Sequence, residues 1–334
     1  MRRFFSSTLH PEIYHGYDRQ PPFFEGWYYK MINAAEDRSY AIIPGVFLGP
    51  NEHAFIQILE GHSRRSAYHT FPLSAFNAAR DRLEVKIGES IFRQDSLSLA
   101  LDHPGELGRV HGRLDFSGVK SWPVSLITPG IMGWYAWMPR MECYHGVLSF
   151  DHGLNGNLEI EGQLVSMTGG RGYIEKDWGQ SFPAAWIWFQ SNHFESSAVR
   201  TPEAACLTAS VAIIPWLGNS FRGFIIGLWE EGMLYRFASY TGARIESLEL
   251  TDERIHWVVR DDRYRLEMEA LQAHGGLIYG PSRHDMGKRV DETLDATVEV
   301  RLTRRSGEII FAGKGRHAGL EVNGDLPRLL AMKA

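Results

Sequence analysis

Two carboxylates and a lysine stand at consecutive positions in the run Gly172-Tyr173-Ile174-Glu175-Lys176-Asp177-Trp178-Gly179-Gln180-Ser181-Phe182-Pro183, and Trp186-Ile187-Trp188-Phe189-Gln190-Ser191-Asn192 follows closely. In extended backbone, side chains alternate between faces, so Arg171, Tyr173, Glu175 and Asp177 share one face while Ile174, Lys176 and Trp178 share the other. Trp186, Trp188 and Gln190 likewise oppose Ile187 and Phe189. Either face of the first run sets a charge beside aromatic surface. A carboxylic acid desolvated there has a raised pKa and can hold its proton near neutrality, ready for general acid chemistry on a large apolar molecule. A nearby Arg171 would oppose that rise. In the structural alternative, Glu175 and Asp177 lie on a strand edge and pair with Arg171 and Lys176. Glu25, close to Trp27 and Tyr28 in Phe23-Phe24-Glu25-Gly26-Trp27-Tyr28-Tyr29-Lys30, is the second candidate acid.

Other chemistries find less support. The fourteen histidines include His53, His62, His69, His145 and His152, none at a metal-ligand spacing or beside a cysteine cluster, and are expected at the surface. Cys143 and Cys206 are too few for a disulfide framework and are expected as buried free thiols. No Gly-x-Ser-x-Gly elbow occurs, and Gly169-Gly170-Arg171-Gly172 reads as a turn rather than a phosphate cradle. Lys and Arg total 35 against 40 Asp and Glu, a net charge of -5 with the basic residues scattered, which disfavours nucleic acid as a partner.

The elements that would position these residues are strands. Leu83 to Ile87, Leu97 to Leu101, Tyr264 to Ala270 and Val298 to Leu302 alternate with a period of two, and Gly, Asn, Asp or Pro separate the runs. Cys206 to Trp229 is largely apolar but is broken by Pro215, Gly218 and Asn219, which suits two strands and a loop better than a spanning helix. Ser125 to Met141 lacks a period and reads as an ordered loop with packed aromatics. The tail from Leu326 suits one short helix. The 334 residues suffice for two domains, expected at 1–180 and 181–334. No apolar stretch follows Arg2-Arg3 as a signal peptide would require, so a cytoplasmic protein is expected.

Phe24-Glu25-Gly26-Trp27-Tyr28-Tyr29-Lys30 and the 173–192 stretch resemble the two signature blocks of the tocopherol cyclase family. The second block resembles that family's Glu-Lys-Asn-Trp-Gly followed by Phe-Pro and Trp-x-Trp-x-Gln, with Asp177 where plant members commonly carry Asn. The segment from Glu292 to Glu321 is also similar. Tyr173-x-Glu175-x-Asp177-Trp178 is more distantly similar to a block of carotenoid hydratases. These resemblances imply an all-β fold of two consecutive lipocalin-like barrels or sandwiches and a cofactor-independent, metal-free cyclase. Such an enzyme adds a phenolic hydroxyl across a prenyl double bond. Implied as catalytic are Glu175, Asp177, Tyr173 and Glu25. Trp27, Tyr28, Tyr144, Lys176, Trp178, Trp186, Trp188 and Gln190 are implied as pocket. A hydrophobic prenylated quinol or terpenoid is the implied partner, with peripheral membrane contact an expectation that accompanies it. A hydratase, another terpenoid or polyketide cyclase, or a lipid carrier is the alternative.

Overall fold

Alternation of apolar and polar residues builds antiparallel strands throughout the chain, a computed structural model of which describes residues 7–196 and 205–332. The first sheet comprises β1 (Phe23–Ile32), β2 (Ser39–Leu48), β3 (His53–Glu60), β4 (Ser66–Phe71), β5 (Phe76–Ala78), β6 (Glu84–Ile87), β7 (Ser90–Arg93), β8 (Ser96–Asp102), β9 (Arg109–Ser117), β10 (Cys143–Ile160), β11 (Gln163–Ser166) and β12 (Arg171–Gly179). Its order is β4-β3-β2-β1-β12-β10-β9-β8-β7-β6-β5, with β11 on β10. Meander connections join near neighbours, but β12 returns across the sheet to lie between β1 and β10. One face carries the apolar core, including Trp27, Tyr29, Ile42, Ile56, Leu99 and Ile174.

The second sheet holds β13 (Ala185–Ser191), β14 (His193–Ser196), β15 (Cys206–Trp216), β16 (Asn219–Glu230), β17 (Met233–Ala238), β18 (Arg244–Leu250), β19 (Arg254–Arg260), β20 (Tyr264–Leu271), β21 (Gly276–Pro281), β22 (Met286–Arg304) and β23 (Ile309–Gly324). Its main path is β17-β16-β15-β13-β23-β22-β20-β19-β18. Ile187, Phe189, Val211, Trp257, Met268 and Phe311 belong to its core. The apolar 206–229 stretch is a hairpin, with Leu217 and Gly218 at its turn in positive φ. A single helix turn and a half, α1 (Leu326–Ala331), begins where the Asp325 side chain accepts from the Arg328 amide.

The chain divides into two units, 1–182 with 276–290 and 183–275 with 291–334. A single cut near 180 does not describe this division, because the excursion carrying β21 returns to the first unit. Its anchors there are Tyr279, whose amide donates to Gln57 Oε1 at 2.6 Å and whose ring stacks on Tyr68 at 4.2 Å, and Leu277, whose carbonyl accepts from Ser66. Among the described residues, no helix is long and apolar enough to cross a membrane.

Candidate active site

The two blocks that stand about 150 residues apart in sequence are neighbours in the sheet, with β12 paired antiparallel to β1 on one side and to β10 on the other. Register places Trp27 opposite Lys176, Glu25 opposite Trp178 and Tyr28 opposite Glu175, while Tyr144 and His145 of β10 stand opposite Trp178 and Asp177. Paired residues share a face, so β12 builds a different cluster on each side of the sheet.

On the core side, Lys176 and Glu25 are both fully buried and lie 2.7 Å apart. The Lys176 ammonium also donates to His15 Nδ1 at 2.9 Å and to the Ile13 carbonyl, and Glu25 accepts from the His15 amide at 2.9 Å. Burial lowers the Lys176 pKa and the Glu25 carboxylate pulls it back up in part. For Glu25, burial alone would raise the pKa, but Lys176 and His15 outweigh it and hold the carboxyl below its ordinary value. Burial and the Lys176 charge lower the His15 pKa, so that the ring accepts at Nδ1 and faces the Ser7 carbonyl through Nε2. Trp178 is stacked between His15, at 4.4 Å, and Tyr144, at 5.4 Å. Lys176 stands 4.5 Å from the Trp178 ring centre and 5.3 Å from that of Trp27. Every donor of the ammonium is satisfied. Glu25 therefore stands as an ion-paired carboxylate and not as a second acid. Lys176 and Trp27 fix the segment around His15, and Trp178 beside them lines a small cavity with His15, Tyr144 and His145.

The opposite side carries titratable groups of another kind. Tyr173 donates to Glu175 Oε2 at 2.6 Å, and His145 stands between the two acids, hydrogen-bonded through Nδ1 to Asp177 Oδ1 at 2.9 Å and with Nε2 3.5 Å from Glu175 Oε2 without a hydrogen bond. Glu175 is buried, and Tyr28 is its buried neighbour across the strand pair. Burial would lower the His145 pKa, yet Asp177 and then Glu175 overcome it and hold the imidazole up to about 9. At neutral pH the site thus carries a proton between two carboxylates. Cys143, whose Sγ lies 3.8 Å from Asp177 Oδ1, is no nucleophile: burial, and then the Asp177 charge, push its thiol well above the ordinary range. Arg171 pairs with Asp151 at 2.6 Å and not with Glu175 as the strand-edge alternative expects.

A nitrogen and carboxylate oxygens of His145, Glu175 and Asp177 fall within 4.8 Å of one another, the spacing of a cation site. The imidazole meets Asp177 through Nδ1, while Nε2 stands 3.5 Å from Glu175 outside hydrogen-bond geometry.

Several histidines expected at the surface are interior. His69 and His152 are buried, His152 with Nδ1 2.9 Å from Ser149 Oγ, and burial together with the Arg171 charge lowers its pKa to about 3. Cys206 is fully buried, as a free thiol. Sequence spacing does not reveal His145 or His15, because each meets its partners through strand pairing or chain return. In the second unit, Trp186, Trp188 and Gln190 lie on the face of β13 opposite its core residues Ile187 and Phe189, and the Trp186 indole donates to Glu321. Gln190 and Glu292 are fully buried there.

The tocopherol cyclase-like family model matches residues 100–324. A tocopherol cyclase of maize (Zea mays), named as chloroplastic, is 26% identical over 203 residues, which cover 58% of this chain and 41% of the maize protein. A chloroplastic rice protein (Oryza sativa subsp. japonica) bearing the tocopherol cyclase name is 32% identical over 116 residues, 33% of this chain and 23% of its own. The matched stretches thus span less than half of either plant protein. Among solved structures, CghA superposes with a TM-score of 0.54 at 12% identity, covering 91% of this chain and 89% of CghA. An AttH-type protein from Nitrosomonas europaea gives 0.51 at 12% identity, covering 90% and 92%. At that identity the likeness establishes the all-β, lipocalin-like fold and nothing of the chemistry.

Proposed function

The chain belongs to the tocopherol cyclase-like family, and from that membership we propose that it closes a chromanol ring by adding a phenolic hydroxyl across the first double bond of a prenyl chain. The observation that carries this reading is the buried cluster in which His145 Nδ1 meets Asp177, Nε2 lies 3.5 Å from Glu175 and Tyr173 donates to Glu175. Protonating an alkene demands an acid that is both strong and loaded. Glu175 relays a proton from the His145 imidazolium to the less substituted alkene carbon, and positive charge develops at the tertiary carbon. Aromatic faces stabilise such a charge, and Tyr28 is the ring next to Glu175 on its own sheet face. The phenol oxygen bonds to that carbon and loses its proton to Asp177. Exchange of one proton with solvent then returns Asp177 to its carboxylate and His145 to the imidazolium. One proton enters carbon and one leaves oxygen, so the product is an isomer and the site is reset without a redox partner.

Glu175→Gln tests the reading, because it preserves shape and hydrogen bonding while removing the transferable proton. The expected result is unchanged affinity for a prenylated hydroquinone with turnover lost. Full turnover in the variant would remove Glu175 from the chemistry. Tight binding without turnover in the wild type would make the protein a carrier.

A further inference from the structure

From Ser121 to Pro139 the chain runs nineteen residues without a single Asp, Glu, Lys, Arg or His, and Lys120 and Arg140 bound the run. Four of its large apolar side chains are in water: Leu126 is 72% exposed, Ile127 82%, and Val124 and Trp134 41% each. Leu126 and Ile127 occupy the two central positions of a tight turn, in which the Ser125 amide donates to the Thr128 carbonyl at 3.1 Å and the Ser125 and Thr128 hydroxyls lie 2.9 Å apart. Such positions ordinarily carry Gly, Asn, Asp or Pro. The turn is fixed from behind, since the Trp137 indole donates to the Leu126 carbonyl at 3.0 Å and Val124 bridges to Pro129. Trp134 stacks on Tyr135 at 4.1 Å beside it. The loop expected to pack all its aromatics therefore holds an apolar tip out in solvent. Isolated exposed leucines such as Leu164 and Leu217 are ordinary, but a rigid apolar turn with an exposed tryptophan between basic ends is not.

We propose that the 124–137 loop is a membrane-docking wedge, with Leu126 and Ile127 entering the acyl boundary of a lipid bilayer, Trp134 and Tyr135 at the headgroup level, and the exposed Arg140 against anionic headgroups, while Lys120 is paired with Asp151. Exposed aliphatics at a tip, amphipathic rings behind them and a cation at the margin match the layers of a membrane interface. A second copy of the chain would have no need of that order. The inner side of the loop reaches the Trp178 side of β12, where His145 is the member of the proposed catalytic cluster that borders the cavity. Pro129, Met132 and Ala136 line a cavity of about 20 Å³ together with His15, Tyr144, His145 and Trp178. That volume holds about one water molecule, so a prenylated quinol enters only when this wall moves. Docking places the moving wall at the bilayer, where a prenylated quinol resides. The inference rests on the prenylated substrate proposed above.

The test compares wild type with the Leu126→Ser/Ile127→Ser double variant on vesicles of phosphatidylcholine with anionic phosphatidylglycerol. Both residues are exposed and the thermal melt should not change. Wild type is expected to co-sediment with vesicles and the variant to partition at least tenfold less. Turnover of a vesicle-borne prenylated hydroquinone should fall in proportion, with turnover in detergent micelles unchanged. Wild type remaining in the supernatant, or a variant that binds as well as wild type, would overturn the wedge even if both proteins cyclise in detergent. Loss of self-association in the variant without any change in vesicle binding would overturn it in favour of a second copy. Tip-dependent vesicle binding with no turnover in either medium would leave the wedge standing and sink the cyclase chemistry.

Discussion

Asp177→Asn separates the two influences on His145, because it keeps a hydrogen-bonding side chain 2.9 Å from Nδ1 but removes the charge. In the wild type the imidazole is held at about 9 against an ordinary value near 6.5. Because the folded value is the raised one, the stability it contributes is fully present below about pH 6.5 and is lost as pH rises through about 9. Linkage makes that contribution about 3 kcal/mol. Asp177 is the larger of the two opposing charges, with burial still acting to lower the value. In the variant the imidazole should therefore titrate at least one pH unit lower than in the wild type. The assay is NMR titration of the His145 ring nitrogens, together with urea unfolding from pH 6 to pH 10. The stability difference between wild type and variant should be greatest near neutrality and shrink towards pH 10. The alkaline limb of any cyclisation profile should move with the imidazole. A His145 that titrates near 6.5 in the wild type, or near 9 in both proteins, would refute the protonated-imidazole account.

The buried Lys176 and Glu25 pair gives a coupling prediction: Lys176→Met or Glu25→Gln alone should cost about 3–5 kcal/mol, since each strands a buried charge. The double variant should cost clearly less than the two added, and strictly additive losses in urea melts would show that the groups do not support each other. Gly172→Ala should destabilise by about 1–3 kcal/mol, because its Cβ would lie 2.2 Å from His152 Nε2 on a ring packed 4.4 Å from Phe116. An unchanged melt would mean that ring is free to yield. His152 acts on stability with the opposite sign to His145: its folded pKa is the depressed one, about 3, so its contribution is present above about pH 6.5 and is lost as pH falls towards 3. His152→Phe should flatten the acid limb of the stability profile over that interval, and an unaltered limb would place the acid sensitivity elsewhere.

Much of this architecture can be read from local pattern. Alternation marks β20, the 206–229 break marks a hairpin, and Ile187 and Phe189 lie on the core face away from Trp186, Trp188 and Gln190. Alternation also divides Tyr173, Glu175 and Asp177 from Ile174, Lys176 and Trp178. Local pattern does not say which face matters, because a strand buried on both sides shows no polar face to mark the outside. Nor does it pair Glu25 with Lys176 or His145 with Asp177. Those contacts arise because β12 inserts between β1 and β10, a register set by the whole sheet. Spacing rules for histidine look along one element, whereas His15 arrives on a chain return and His145 on a neighbouring strand. The 276–290 excursion escapes for the same reason, being held by Gln57, Tyr68 and Ser66 from far upstream.

The central claim is that a carboxyl proton from this site ends on carbon. Incubating wild type and Glu175→Gln with a prenylated hydroquinone in heavy water under reducing conditions measures that transfer directly by product mass. The account predicts one carbon-bound deuterium in a product isomeric with the substrate, formed by the wild type and absent with the variant. A chromanol without carbon-bound deuterium, or a product heavier by an added water, would contradict it.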